Sequence, residues 1–180
     1  MNIFVLDKDP YKAAEMMCDK HVVKMIVESC QILSAAFDIT YKESGRGRGK
    51  GEPSATFDLP QYPKSVKKHP CTLWVVESIE NYRWLLKHFD ALLNEYTKRY
   101  NKVHKYGQGI NKHLEIYTGQ LIWLDLPNVP QTKFVQAITN TDLHRDDPIE
   151  GYREYYIQEK AHFAKWKLGN TPEWFEHATG

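Results

Sequence analysis

The stretch CDKHVVKMIVESCQ, from Cys18 to Gln31, constrains the fold more than any other part of the chain. Its apolar residues recur at helical spacing. At about 100° per residue, Val22, Met25, Ile26, Ser29, Ile32, Leu33 and Ala36 fall on one broad arc. His21, Lys24, Glu28 and Gln31 fall together on another, at steps of three, four and three residues. A long amphipathic helix is predicted, with the first arc turned to the core. The polar stripe has two readings. It can be a solvated face on which Lys24 and Glu28 form an ordinary i,i+4 pair. It can also be the wall of a cleft in which base, cation and carboxylate do acid–base work, with Glu28 as the central carboxylate.

Start and stop signals extend this helix in both directions. Asp9-Pro10 places a capping carboxylate before a proline at the first helical position, so the helix is predicted from there to about Phe37, with a break near Cys18-Asp19. Before it, Met1 to Leu6 reads as a short strand or an extended arm. His69-Pro70 opens a second long helix, predicted to run to about Tyr100. Its apolar arc carries Val75, Ile79, Tyr82, Leu86, Phe89, Leu93, Tyr96 and Tyr100. Near the opposite meridian stand Trp74, Glu77, Asn81, Trp84, His88, Glu95 and Arg99, a stripe that reads either as a cleft wall or as a seam against another helix. A shorter helix is predicted over Asn111 to Thr118, and Leu126 to Gln131 is irregular. Asp147-Pro148 opens a third helix, predicted to about Lys167 and rich in aromatic residues, and Thr171-Pro172 opens a last turn. The expected fold is mainly α: one domain over residues 1–180, with three long helices, several short ones and a short extended N-terminal segment.

At 180 residues the chain can bury a substantial core, and 42% hydrophobic with 26% charged residues is an ordinary globular balance. No apolar run reaches about 18 residues, so no membrane span is expected. The start lacks a basic region followed by a long apolar one, so no signal peptide is expected. Three cysteines (18, 30 and 71) with no CxxC suit free thiols and a reducing, cytoplasmic setting. Charge is uneven. Residues 42–70 hold seven Lys/Arg against three acids, a net +4 in a chain whose whole net charge is +1. Within them SGRGRGKG, Ser44 to Gly51, lies in a flexible basic loop expected over about 42–63. It reads as a surface loop, or as one whose Arg46, Arg48 and Lys50, with Lys67 and Lys68, contact phosphates.

No glycine-rich phosphate loop, HExxH or G-x-S-x-G motif is present, so no nucleotide-cofactor fold is expected and no cofactor is assigned. Cys18-x-x-His21 and His69-x-Cys71 would make a zinc set only if two helix starts met, and the second spacing is not a standard one. No metal is expected.

The segment KHVVKMIVES, with His21 and Glu28 seven residues apart, follows a short N-terminal segment. Further on comes a His-led aromatic helix with a basic, aromatic end, HPCTLWVVESIENYRWLLKHFDALLNEYTKRYN. In these features the first 100 or so residues resemble the bacteriophage pyrimidine-dimer DNA glycosylases of the endonuclease V type. The chain also resembles other phage-encoded proteins. The family resemblance implies that an N-terminal α-amine attacks C1′ of a damaged nucleoside, that a glutamate assists, and that an imine precedes strand cleavage. An α-amine titrates at about 7.7–8.0, so a useful fraction is neutral near pH 7. By position Glu28 would be the carboxylate, with His21 beside the substrate. Asn2 follows Met1 and is large for removal of the initiator, so the nucleophile would be the amine of Met1 itself; attack by water is the alternative.

The function expected is therefore a phage-encoded DNA glycosylase, with lyase activity if an imine forms. Glu28, His21 and Met1 would be catalytic, and Lys24, Gln31, Asn81, Trp84, His88 and Arg99 would meet the substrate. The alternatives are a non-catalytic nucleic-acid-binding module and a host-interaction protein. DNA is the expected partner in the first two, in the cytoplasm of a host cell. No sequence signal sets the oligomeric state.

Overall fold

The computed structural model describes residues 1–43, 62–107 and 124–179, with the side chains of 41–43 and 179 left aside. The Gly-rich basic stretch, with Arg46, Arg48 and Lys50, and the helix predicted over Asn111 to Thr118 lie outside the described residues. Among those described, six α-helices and no strand are present: α1 Pro10–Glu15, α2 Asp19–Glu43, α3 Pro70–Val76, α4 Ile79–Tyr100, α5 Pro148–Tyr155 and α6 Glu173–Thr179. The fold is all-α, and no helix described is long and apolar enough to cross a membrane.

Helices α2 and α4 lie against each other, α1 packs on α4, and α3 packs on α2. The arc read from the first stretch is the inner face: Val22, Met25, Ile26, Ser29, Ile32, Leu33 and Ala36 are all fully buried. The extended segment 2–6 is buried as deeply, so the chain enters the core before its first helix begins.

Caps explain the boundaries. Asp9 accepts from the Tyr11 and Lys12 amides with Pro10 at the first helical position. Asp147 accepts from Ile149 in the same way. The helix predicted from His69 to Tyr100 is instead two helices. Ser78 caps α4 by accepting from the Glu80 amide, and its hydroxyl donates to the Val129 carbonyl at 2.7 Å. The apolar period runs on through Ser78, and the passing segment 127–129 makes the break by supplying the partners of Ser78 and Ile79. The third helix is shorter than predicted. α5 ends at Tyr155 and passes into one π-helical turn, Tyr156–Lys160. Segment 132–139 has no regular structure and is held by side chains. The Tyr152 hydroxyl donates to the Val135 carbonyl and accepts from the Ala137 amide, both at 3.0 Å.

The break between α1 and α2, foreseen near Cys18, is closed by Arg99 from α4. Its side chain is wholly buried. It donates to the Met17 and Glu15 carbonyls, both at 2.7 Å, and pairs with Glu95 at 2.9 Å and Asp19 at 3.3 Å. The Trp166 indole donates to the Met16 carbonyl between them. So the orphan carbonyls at the end of α1 are met by two side chains from elsewhere. Gly169 covers the guanidinium so closely that a Cβ there would stand 2.8 Å from Arg99 Cζ.

Replacing Arg99 by Met keeps much of the volume and removes every donor, leaving the buried carbonyls and Asp19 without their cation, while Glu95 keeps Lys98 at 3.1 Å. The expected loss is about 3–5 kcal/mol of stability by urea unfolding, the range for breaking a buried ion pair from one side. A loss below about 1 kcal/mol would show that Arg99 does not hold the helix break.

Candidate active site

Glu28 stands on α2 two turns past His21, about 10 Å further along the axis at 1.5 Å per residue. Its side chain is only 12% exposed. One carboxylate oxygen faces outward to Lys24 Nζ at 3.3 Å, and Lys24 itself is mostly in solvent. The other accepts from the backbone N–H of Asn2 at 2.7 Å. The polar stripe on α2 is thus neither a free face nor a simple ion pair. Its carboxylate is held against the start of the chain.

The start is held there by Asn2. Its side-chain amide donates to the Ala137 carbonyl at 2.9 Å, and its Oδ1 accepts from the Ile3 and Phe4 amides. That turn puts Phe4 at φ 52°, a left-handed conformation unusual for a bulky residue. The strained residue lays its ring on His21, with centroids 4.5 Å apart.

His69, which reads in sequence as a helix start and as half of a zinc pair of non-standard spacing, lies off both stripes and joins the corner. Its Nδ1 accepts from the Cys71 amide at 3.2 Å, capping α3. Its ring lies near the Met1 backbone and within electrostatic reach of the terminal amine and of Glu28. Burial and then the amine's charge lower its pKa, while Glu28 and the Met1 backbone oppose them. Cys71 shares the corner, and burial pushes its thiol up to about 12, so it stays protonated and inert. Met1, half-buried, packs against the core beside them.

His21 is enclosed rather than presented. Phe4 stacks on it, Tyr156 and Phe163 meet it edge-on, and the Tyr156 hydroxyl shares a hydrogen bond with its Nδ1. Burial, then the charges of Lys24 and Lys160, lowers its pKa to about 3. It is a neutral packing partner at pH 7. Gln31 is half-buried one turn beyond Glu28.

The polar stripe of the second helix is a seam, and it does not join the Glu28 corner as a wall. Asn81 donates to the Trp74 carbonyl and to Thr132. The Trp84 indole donates to the Lys8 carbonyl at 2.7 Å, and His88 Nδ1 bonds the Pro10 carbonyl at 2.9 Å. Arg99 holds the helix break. All four are buried, covered by α1, the N-terminal segment or the irregular segment at 132, so they are given to the fold. Lys67 pairs with Asp38 at 3.1 Å, while Lys68 is exposed. Among the described residues no three His, Cys, Asp or Glu side chains gather as a metal site.

Fold and corner together define a small all-α protein with a helix-borne carboxylate held against its own first residues. The model of the pyrimidine dimer DNA glycosylase family matches residues 1–107, more than half of the chain, and the chain belongs to that family. Its function is that of a DNA glycosylase. The match takes in α1 to α4 and the Glu28 corner, and stops before α5 and α6. No curated protein and no solved structure matches the chain.

The two buried histidines set a pH dependence. Unfolded, each takes a proton near pH 6.5; folded, His21 does so only at about 3 and His88 at about 4. Between those limits the unfolded chain binds more protons, so stability falls as the pH drops from about 6.5 and is regained above it. Each histidine contributes up to about 1.4 kcal/mol per pH unit in that window. Histidine NMR titrations are expected to show His21 and His88 unprotonated at pH 5; a midpoint near 6.5 for either would contradict its burial as a neutral ring.

Proposed function

We propose that this protein cleaves the N-glycosidic bond of a damaged pyrimidine in duplex DNA by attack of its N-terminal amine on C1′, with Glu28 as the acid–base carboxylate. The observation that carries the reading is the 2.7 Å hydrogen bond from the Asn2 N–H to Glu28 at the half-buried chain start. In this reading the amine forms a bond to C1′ as the glycosidic C–N bond breaks, and the base takes a proton and, in a dimer, stays joined to its neighbour. Glu28 stabilises positive charge developing on the sugar and shuttles the proton that allows the adduct to collapse to an imine. Lys24 and Gln31 flank the carboxylate and would meet the substrate. A pyrimidine photodimer, the lesion in the family's name, is the substrate proposed, reached by extruding a nucleotide from the stack. Arg46, Arg48, Lys50 and Lys68 would contact phosphates. We assign the chain to the cytoplasm of a phage-infected host and treat residues 1–180 as one domain. A core running from Ile3 to Phe175 supports the last point.

The same hydrogen bond favours a second form of the nucleophile. Glu28 bonds the nitrogen of Asn2, so a chain that lost Met1 would have its α-amine already at the carboxylate. In the full chain the amine of Met1 lies one residue further out, by His69. Both forms use Glu28, and mass spectrometry of the intact protein tells them apart.

Glu28→Gln keeps size and hydrogen-bond acceptance and loses the charge and the proton. The expected fall in turnover on dimer-containing duplex is about 10²–10⁴-fold, with binding retained. If Glu28 only paired with Lys24, the change would cost roughly 0.3–0.5 kcal/mol of stability and nothing in rate. Selective transamination of the terminal amine is expected to abolish the reaction; full activity after it would move the attack to water.

A further inference from the structure

The matched segment ends at residue 107, yet the rings around His21 come largely from beyond it. Tyr155 stacks on Phe4, with centroids 5.9 Å apart and planes 9° from parallel. Phe163 meets the edge of His21 at 5.4 Å. Each of these half-buried rings carries a lysine. Lys160 Nζ lies 4.3 Å from the centroid of Tyr155, and Lys20 Nζ lies 5.5 Å from that of Phe163.

The Lys160 placement follows from the backbone. In an α-helix a residue stacks over the ones three and four before it, and Lys160 would lie over Tyr156 or Ile157. The π turn at Tyr156–Lys160 has i→i+5 registry, which brings Lys160 over Tyr155. Such turns are rare and concentrate at functional sites. Here the distortion moves one ammonium onto the ring that stacks on Phe4.

Neither lysine is spent on an acid. Among the described residues, Lys20 and Lys160 form no ion pair, whereas Lys24 on the same face of α2 is paired with Glu28. A ring under an ammonium restrains it without neutralising it, and its N–H donors stay open to an anion on the outer side. Lys20 precedes His21 on α2, and Lys160 is near enough to His21 to disfavour its charged form. Lys20 stands next to the enclosed histidine on α2, the helix that carries Glu28, and Lys160 lies near the same histidine from the π turn.

We propose that Lys20 and Lys160, seated on Phe163 and Tyr155, form a two-point grip on the phosphodiester backbone of the strand that feeds the Glu28 corner. This rests on the glycosylase reading and extends it to a part of the chain the family match does not reach. The grip supplies charge where Lys24 is neutralised by Glu28. It also gives the residues after 107 a role in substrate binding.

The test is equilibrium binding of a duplex with a central reduced abasic site, measured against KCl concentration. Wild-type protein is compared with Lys20→Ala, Lys160→Ala, the double variant and the Lys20→Arg/Lys160→Arg variant. Each Ala change is expected to flatten the slope of log affinity against log salt by about 0.9, and the pair by about 1.8, through counterions no longer released. Turnover by the double variant is expected to show KM raised by more than kcat is lowered. The Arg variant keeps both charges and is expected to keep the wild-type slope. Circular dichroism fixes that the variants are folded, and the single changes stand if the double variant is not. If wild-type protein binds and cleaves but the Ala variants keep its slope, the grip is wrong and the glycosylase reading stands. If wild-type protein does not bind the duplex at all, both fall.

Discussion

The first residues of a chain are ordinarily among its freest. Here Asn2 to Leu6 are buried, and the architecture of the candidate site depends on that burial. The main constraint is the side chain of Asn2, which satisfies the Ile3 and Phe4 amides and donates to Ala137 in one place. With Asn2 fixed, its own N–H has one direction available, toward Glu28. A carboxylate on a rigid helix and the backbone N–H of the second residue are then in register without a loop to position either. Such pre-organisation suits chemistry in which a misplacement of about 1 Å is costly.

The tether is built in relay from the C-terminal third. Tyr152 on α5 fixes Val135 and Ala137, and Ala137 receives Asn2. Arg153, also on α5, donates to the Leu6 carbonyl at 3.0 Å and so holds the other end of the same segment. Residues outside the matched stretch of 1–107 thus clamp the segment that the candidate chemistry needs. A chain cut after Gly107 would keep Glu28 and lose what aims the N-terminus at it.

How far all this can be read from sequence depends on which force sets each feature. The inner face of α2 is legible because burial of Val22, Met25, Ile26, Leu33 and their neighbours follows a period, and a period is written in one stretch. The start at Asp9-Pro10 is legible from its cap, and a break is expected near Cys18. The break at Ser78 is not, because its cause is the docking of a distant segment on Ser78 and Ile79. The same reason governs the site. Glu28 stands out by its spacing from His21 and Lys24, but its true partner is a backbone N–H, and no side-chain pattern encodes that. Asn81, Trp84, His88 and Arg99 form a polar stripe that suits a cleft or a seam equally well. Which it is depends on whether α1 and segment 2–8 cover it, and they do. His69 carries no sequence signal for this place: its position before Pro70 and its spacing from Cys71 point to a helix start and a metal pair, and histidine is an uncommon cap.

The central claim is that the attacking group is the amine at the chain start, held beside Glu28. Borohydride reduction during reaction with dimer-containing duplex would fix any imine, and peptide mapping by mass spectrometry would locate it. The account predicts one adduct, on the N-terminal peptide, at Met1 or at Asn2 in a chain that lacks Met1. An adduct on the side chain of Lys24, or full glycosylase activity with no adduct, would contradict it.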